Sequence, residues 1–303
     1  MKKILFPIIS FLLLLASCSK DKETDPLRGY LQAYQSLSMY MDVAMDPFHV
    51  AYRLHLYREG GETETLREKL FPQATVERAE NGQTYTLTYA ESTSLPNHDY
   101  YRLGDVIIHT YGAKLSEGNA VWKMETNKEK PYFVYHPSYG YWIFELDPEG
   151  NEYSIANNGS NSWNIRGDQF YMLDYYNQAN STWDLDIVVT RTDGSGSDLT
   201  NARFKMESGS HGHSGGTLGV DVRYRYEILS PVIYSGACDY NTKSAGEDRF
   251  VRMDAYGYTG LDSIQVNYGQ TVVCNPNFSL SVRAEGDSGW QTNNYTFQGD
   301  WIN

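Results

Sequence analysis

From Ala74 onward the chain is patterned with a period of two. Residues 83–89 read QTYTLTY, 104–111 GDVIIHTY, 185–192 LDIVVTRT and 278–284 FSLSVRA, each alternating polar with apolar. A strand of that kind buries one face and wets the other. Turn signals flank these runs: Glu80-Asn81-Gly82, Asp147-Pro148-Glu149-Gly150, Asn157-Asn158-Gly159, Asp193-Gly194 and Glu285-Gly286. No helical pattern of useful length returns after Ala74. The chain carries 26 Tyr and 26 Gly but only 10 Pro, which fits strands joined by tight turns. The expected fold class is mainly β, in antiparallel β-sandwich-like layers with an N-terminal helical segment.

That segment covers 27–72. Asp25-Pro26 reads as an N-cap with proline at the first helical position. Leu27, Leu31, Tyr34, Leu37, Met41, Met45 and Phe48 follow at spacings of three and four, one apolar helix face. Asp46-Pro47 is expected to break the helix, with Tyr52 and Leu56 resuming the stripe until Gly60-Gly61 ends it. Such a helix packs on its own β-body or offers its face to a partner, and packing is the expected role. The length of 303 residues allows two globular domains or one large all-β domain, and a hydrophobic content of 41% is enough for a real core. A first β-rich domain is expected over 73–210 and a second over 211–303.

An internal repeat runs through this body. Residues 105–126, DVIIHTYGAKLSEGNAVWKMET, and 186–208, DIVVTRTDGSGSDLTNARFKMES, both pass from an aspartate and an apolar strand to Asn-Ala, an aromatic and Lys-Met-Glu. A weaker copy spans 232–254. Recurring hairpins are the simplest cause.

The N-terminus points to the cell envelope. Lys2 and Lys3 precede an apolar run, ILFPIISFLLLL at 4–15, too short to span a bilayer comfortably. Leu15-Ala16-Ser17-Cys18 then resembles the lipobox of bacterial lipoproteins. The resemblance implies a signal peptide over 1–17, cleavage before Cys18, acylation (palmitate included) at Cys18 and a tether over 18–26. The sequence SKDKETDP after Cys18 resembles surface-export signals of Bacteroidota lipoproteins. An outer-membrane, lipid-anchored location is expected, with the cell surface favoured over the periplasmic face. Two other cysteines, Cys238 and Cys274, form a disulfide or stay as two buried thiols; an exported protein favours the disulfide.

A net charge of -13 repels phosphate backbones, so no nucleic-acid partner is expected. Membrane contact runs through the lipid anchor alone.

Four stretches carry a wider likeness: FPQATVERAENGQTYTLTY, RLGDVIIHTYG, EILSPVIYSGACDY and SIQVNYGQTVVCNPNFSLSV, in that order. The order is similar to a group of Bacteroidota lipoproteins with no assigned activity. Those proteins have an N-terminal helical stretch, a Phe-Pro-x-x-Thr-Val segment, and two late cysteines, the second following an Asp-Tyr-Gly strand. Here Leu87-Thr88-Tyr89-Ala90 replaces Ile-Asp-Phe-Gly, and Asn267-Tyr268-Gly269 replaces Asp-Tyr-Gly. The resemblance implies no functional residues. In that group a Gly/Ser/Asn-rich turn occupies the place of ESGSHGHSGGT, 207–217.

His211 and His213 in that stretch are metal candidates, but a structural site needs about four ligands. The expected state is a loop without metal, and no cofactor is expected. GDSGW at 286–290 matches a protease nucleophile motif yet lacks the accompanying histidine segment, so it reads as a hairpin turn. TDGSGSD at 192–198 departs from a calcium loop and reads likewise. Asp262-Ser263-Ile264 fits a short O-glycosylation pattern. The aromatic run 131–146 offers Tyr139 and Tyr141 for stacking on a sugar ring, and Trp163 and Trp290 stand in polar turns that suit the same role. The expected function is therefore non-enzymatic binding or adhesion, with glycans as ligand. The alternatives are a structural envelope protein with protein partners and, third, a glycan hydrolase using two carboxylates.

Overall fold

A computed structural model of the chain describes residues 26–296, apart from 73, 91–100, 136–142, 147–152, 175–178, 195, 197, 198, 200, 208–210, 218, 219, 239–242, 256–259 and 275. Residues 1–17, the expected signal peptide, and Cys18, Tyr139 and Tyr141 lie outside the described residues.

The fold is mainly antiparallel β with one long N-terminal helix. Helix α1 (Arg28–Glu59) is followed by α2 (Glu64–Leu70). The first strands are β1 (Ala74–Arg78), β2 (Thr84–Tyr89), β3 (Tyr101–His109), β4 (Val121–Thr126), β5 (Tyr132–Tyr135), β6 (Ile143–Leu146), β7 (Tyr153–Asn157) and β8 (Ser162–Asp174). Then come β9 (Ala179–Asp193), β10 (Arg203–Glu207), β11 (His211–Thr217), β12 (Val220–Ser235), β13 (Lys243–Ala255), β14 (Leu261–Asn267), β15 (Phe278–Ala284) and β16 (Gln291–Tyr295). All belong to one 16-stranded sheet, in which, among the described residues, β1 and β16 close neither on each other nor on a second sheet. The expected boundary at 210/211 falls between β10 and β11. The ladder continues through it, since β12 pairs with β10 and β11 pairs with β9.

The repeat is a pair of equivalent hairpins. In β3–β4 Ile108 faces Met124, and in β9–β10 Val189 faces Met206, the same positions of the two copies. The Ala120 amide donates to the Glu117 carbonyl, and the Ala202 amide to the Leu199 carbonyl, closing the same turn in each. Residues 232–254 cover the β12–β13 hairpin without that register.

Helix α1 lies inside the bend of this sheet. Every residue from Tyr40 to Tyr52 is buried, not only those of the apolar stripe. Asp46 meets Arg102 of β3 and Tyr132 of β5. Phe48, about 200° further round the axis, packs on Trp163 of β8 and Phe204 of β10. One turn before Asp46, Asp42 accepts from Tyr234 of β12. Strands far apart in the ladder, from β3 to β12, thus touch one helix on different sides.

The helix runs through Pro47 without a break. Proline removes one rung and costs about 3 kcal/mol in a helix interior. Here the Tyr153 hydroxyl enters the neighbouring rung. It donates to the Ala44 carbonyl at 3.2 Å and faces the Phe48 amide. Burial of Phe48, Val50 and Leu54 outweighs the remaining loss, since each such side chain contributes about 1.5–3 kcal/mol. The start also differs from expectation. Leu27 takes the cap position with no side-chain cap bond, and helical geometry begins at Arg28 rather than Pro26. Gly60 and Gly61 end the helix as the sequence predicts, Gly61 with φ of 85°.

Candidate functional site

The polar side of α1 is held by a closed set of ion pairs. Tyr34, Ser38, Asp42 and Asp46 recur every four residues and form one stripe. Arg102 binds Asp46 through Nε at 3.0 Å, and Tyr132 donates to its other oxygen at 2.6 Å. Lys243 of β13 donates to Asp248 at 2.7 Å and to Ser38 at 2.8 Å. Tyr34 and Tyr226 also donate to Asp248, at 2.6 and 2.9 Å. Burial pushes Asp42 up to about 6, against the nearby Lys243 charge and the Tyr234 hydrogen bond. Burial also lowers His55, further along the helix, to about 4. These carboxylates are sealed from solvent, so they anchor the helix and cannot meet an outside substrate.

The sequence-predicted residues separate into core and surface. Trp163 is only 2% exposed, donates from Nε1 to the Leu115 carbonyl at 3.3 Å, and packs on Phe48 and Tyr52. It is a core residue, because its strand turns that position toward α1. Trp290 is 38% exposed and lies beside Arg283, whose Cζ is 5.2 Å from the ring centroid. Ser263 is fully buried and donates to Asp262 at 2.9 Å, so the folded chain does not present the proposed O-glycosylation serine. GDSGW joins β15 to β16, and TDGSGSD joins β9 to β10, both as hairpin connections.

The His211–His213 stretch is not a loop. It is strand β11, with His211 opposite Tyr226 and His213 opposite both Tyr224 and Trp183. Glycine-rich backbone can pair on two sides as readily as it can turn, and the neighbouring strands decide. The histidine side chains lie outside the described residues. Cys274 sits against the Gly236–Cys238 turn, with Sγ 3.5 Å from the Ala237 carbonyl oxygen. The Cys238 side chain is likewise outside the described residues.

A surface that no single motif marked emerges on the outside of the last strands. Glu227, Arg249, Gln265, Ser281 and Thr292 stand opposite one another across β12, β13, β14, β15 and β16. Ser230, Glu247, Asn267, Ser279 and Asn294 form the next row. Both rows are polar, and their residues are partly or fully exposed, except that the Ser230 hydroxyl is buried. Arg249 and Arg225 donate to Glu227 at 2.9 and 2.7 Å. Partial burial works upward on Glu227, but these two bonds and charges bring it below the usual carboxylate range. A polar outside around a buried apolar inside is the opposite of a lipid-facing barrel wall. The signal was present in the sequence as the second half of each alternation: Gln265 and Asn267, Ser279 and Ser281.

At the end of this face Asp262, Arg283 and Trp290 come together. Arg283 Nε donates to Asp262 Oδ2 at 2.6 Å, and Arg283 Nη2 also reaches the Ser263 hydroxyl at 3.2 Å. Burial works upward on Asp262, but the Ser263 and Arg283 bonds dominate and lower it. Arg252 pairs with Glu285 at 3.2 Å beside them.

No protein-family model matches the chain, and neither does any curated protein or solved structure.

Proposed function

We propose that this chain is a lipid-anchored envelope protein that binds glycans, without catalysis, on the outer face of β12–β16. The leader and Cys18 support the anchor and the outer-membrane location, with the cell surface favoured. The observation that carries the binding reading is the pair of cross-strand rows, rich in amide and hydroxyl side chains and ending at an exposed tryptophan. Such groups replace the water hydrogen bonds of a sugar, and a rigid sheet holds them at little entropic cost. The carboxylates Glu227 and Asp262 are bound by arginine and kept ionised. A glycan hydrolase needs one carboxyl that keeps its proton, so this face favours binding over hydrolysis.

The structural alternative has one observation of its own: among the described residues β1 and β16 each pair on one side only, and an unpaired edge can accept a partner strand. A glycan array probed with soluble chain 19–303 separates the two. Specific binding that is lost in Ser281→Arg, which sets a long cation in the middle of the first row, supports the glycan reading. A negative array with folded protein removes it and turns attention to strand-edge partners pulled down from intact envelopes.

The Cys238–Cys274 disulfide belongs to the same exported state. Closing that loop stabilises by about 4 kcal/mol in the chain-entropy model. Intact mass before and after reduction and alkylation checks it: Cys274 is expected to resist alkylation until reductant is added.

A further inference from the structure

We infer that Asp262, Arg283 and Trp290 form a subsite for one neutral pyranose ring. The inference rests on the glycan-binding reading above and narrows it to a place and a ligand class.

The geometry has three parts. First, the Trp290 ring is packed beside the Arg283 guanidinium and remains 38% exposed. Of the described residues, none but Arg283 stacks on it. An indole held in place by a cation on one side is a platform for the C–H face of a sugar on the other. Second, the Asp262 carboxylate is immobilised through one oxygen only. Oδ2 receives Arg283 and Ser263, whereas no described group donates to Oδ1. Third, Arg283 spends Nε and Nη2 on Asp262 and Ser263, and no described group accepts from Nη1. Asp262 Oδ1 as an acceptor and Arg283 Nη1 as a donor are therefore both left over in the cluster that holds the aromatic ring. The hydroxyls of a pyranose both donate and accept, so one ring can serve the two groups.

Charge selects the class. Arg283 is balanced by Asp262 and Arg252 by Glu285, so the cluster carries no net charge. An anionic sugar would bring a carboxylate against Asp262 and Glu285 without an unpaired cation to receive it. A neutral hexose brings only hydroxyls. The ionised state of Asp262 that its partners enforce keeps Oδ1 an acceptor at neutral pH.

Saturation-transfer NMR on the soluble chain 19–303 tests this, with methyl glycosides of glucose, galactose, mannose, N-acetylglucosamine and glucuronic acid as probes. The expected result is transfer to ring protons of at least one neutral glycoside and none to the glucuronide. In Trp290→Ala and in Asp262→Asn the affinity is expected to drop about tenfold or more. Both positions are on the surface, and circular dichroism and melting curves confirm that the variants stay folded. Transfer that persists unchanged in both variants overturns the subsite while leaving glycan binding in place. Transfer to the glucuronide alone overturns the neutral class. Absence of transfer to every probe overturns the subsite, and the glycan array then decides separately whether the broader reading survives.

Discussion

Asp42 and His55 sit on the same helix and titrate in opposite senses. Asp42 is raised from 3.8 to about 6, so the folded chain holds its proton more tightly than the unfolded chain. Its contribution to stability grows as pH falls through 6 toward 4, by about 3 kcal/mol in total. His55 is lowered from 6.5 to about 4, so folding excludes its proton. Its contribution is present above 6.5 and is lost as pH falls toward 4. The two slopes oppose each other over one window, and each hides the other. Asp42→Asn keeps the acceptor for Tyr234 and is expected to steepen the loss of stability between pH 6.5 and 4. His55→Phe is expected to turn that loss into a gain. Urea melts at half-unit pH steps measure both slopes; parallel curves for wild type and Asp42→Asn would refute the assignment.

The two tryptophans give a second contrast at the same scale. Trp163→Ala removes a buried ring wedged against Phe48 and Tyr52, and is expected to cost about 3–5 kcal/mol. Trp290→Ala removes an exposed ring and is expected to cost about 1 kcal/mol or less. Equal losses in thermal melts would contradict this placement. Their turn contexts look alike in sequence. Neighbouring composition says nothing of which face of a strand a residue occupies, and the register of β8 against β9 settles it for Trp163.

At the scale of elements, α1 depends on a hydroxyl from a strand. Tyr153→Phe leaves the Ala44 carbonyl and the Phe48 amide to find each other across a proline-distorted turn. A loss of about 1–3 kcal/mol is expected. Pro47→Ala should recover part of it, because a regular turn rejoins the rung without help. A double-mutant cycle by denaturant melts reads the coupling, and strict additivity of the two changes would show that the hydroxyl and the proline do not interact. The helix break expected at Asp46-Pro47 was a sound local inference. It failed because the compensation lies 106 positions away in the chain, on β7. The apolar stripe of α1 was legible, whereas the role of its polar stripe was not. Period alone identifies a face that must be buried, but cannot show that Ser38, Asp42 and Asp46 also find buried partners.

Across the whole molecule, the sheet is continuous and its strands share one helix. Hydrophobic residues from Leu27 to Tyr295 join a single core. Unfolding is therefore expected as one transition, with far-UV circular dichroism and tryptophan fluorescence coinciding in urea. Two separated transitions would restore a division near residue 210. The expected division arose from length and hydrophobic content, and the glycine-rich stretch beside it, 207–217, was read as a loop. Its pairing with both β9 and β12 makes it an interior strand instead.

What the sequence determined alone is what short-range periodicity can carry. The alternation from Ala74 onward specifies strands, their inward residues and their turns, because a strand's two faces are read off consecutive residues. The repeat points to two recurring hairpins, and the structure supplies their register, Ile108 with Met124 and Val189 with Met206. The spacing 27–56 specifies a helix. The tertiary structure decided everything that needs two distant segments at once: that the helix lies inside the bend of the sheet, that Arg102 and Lys243 reach one stripe of it, and that Asp262, Arg283 and Trp290 meet. Those contacts depend on how far a twisted sheet bends before its edges stop pairing. That bend is the sum of small rotations over many strands, and no local pattern records it.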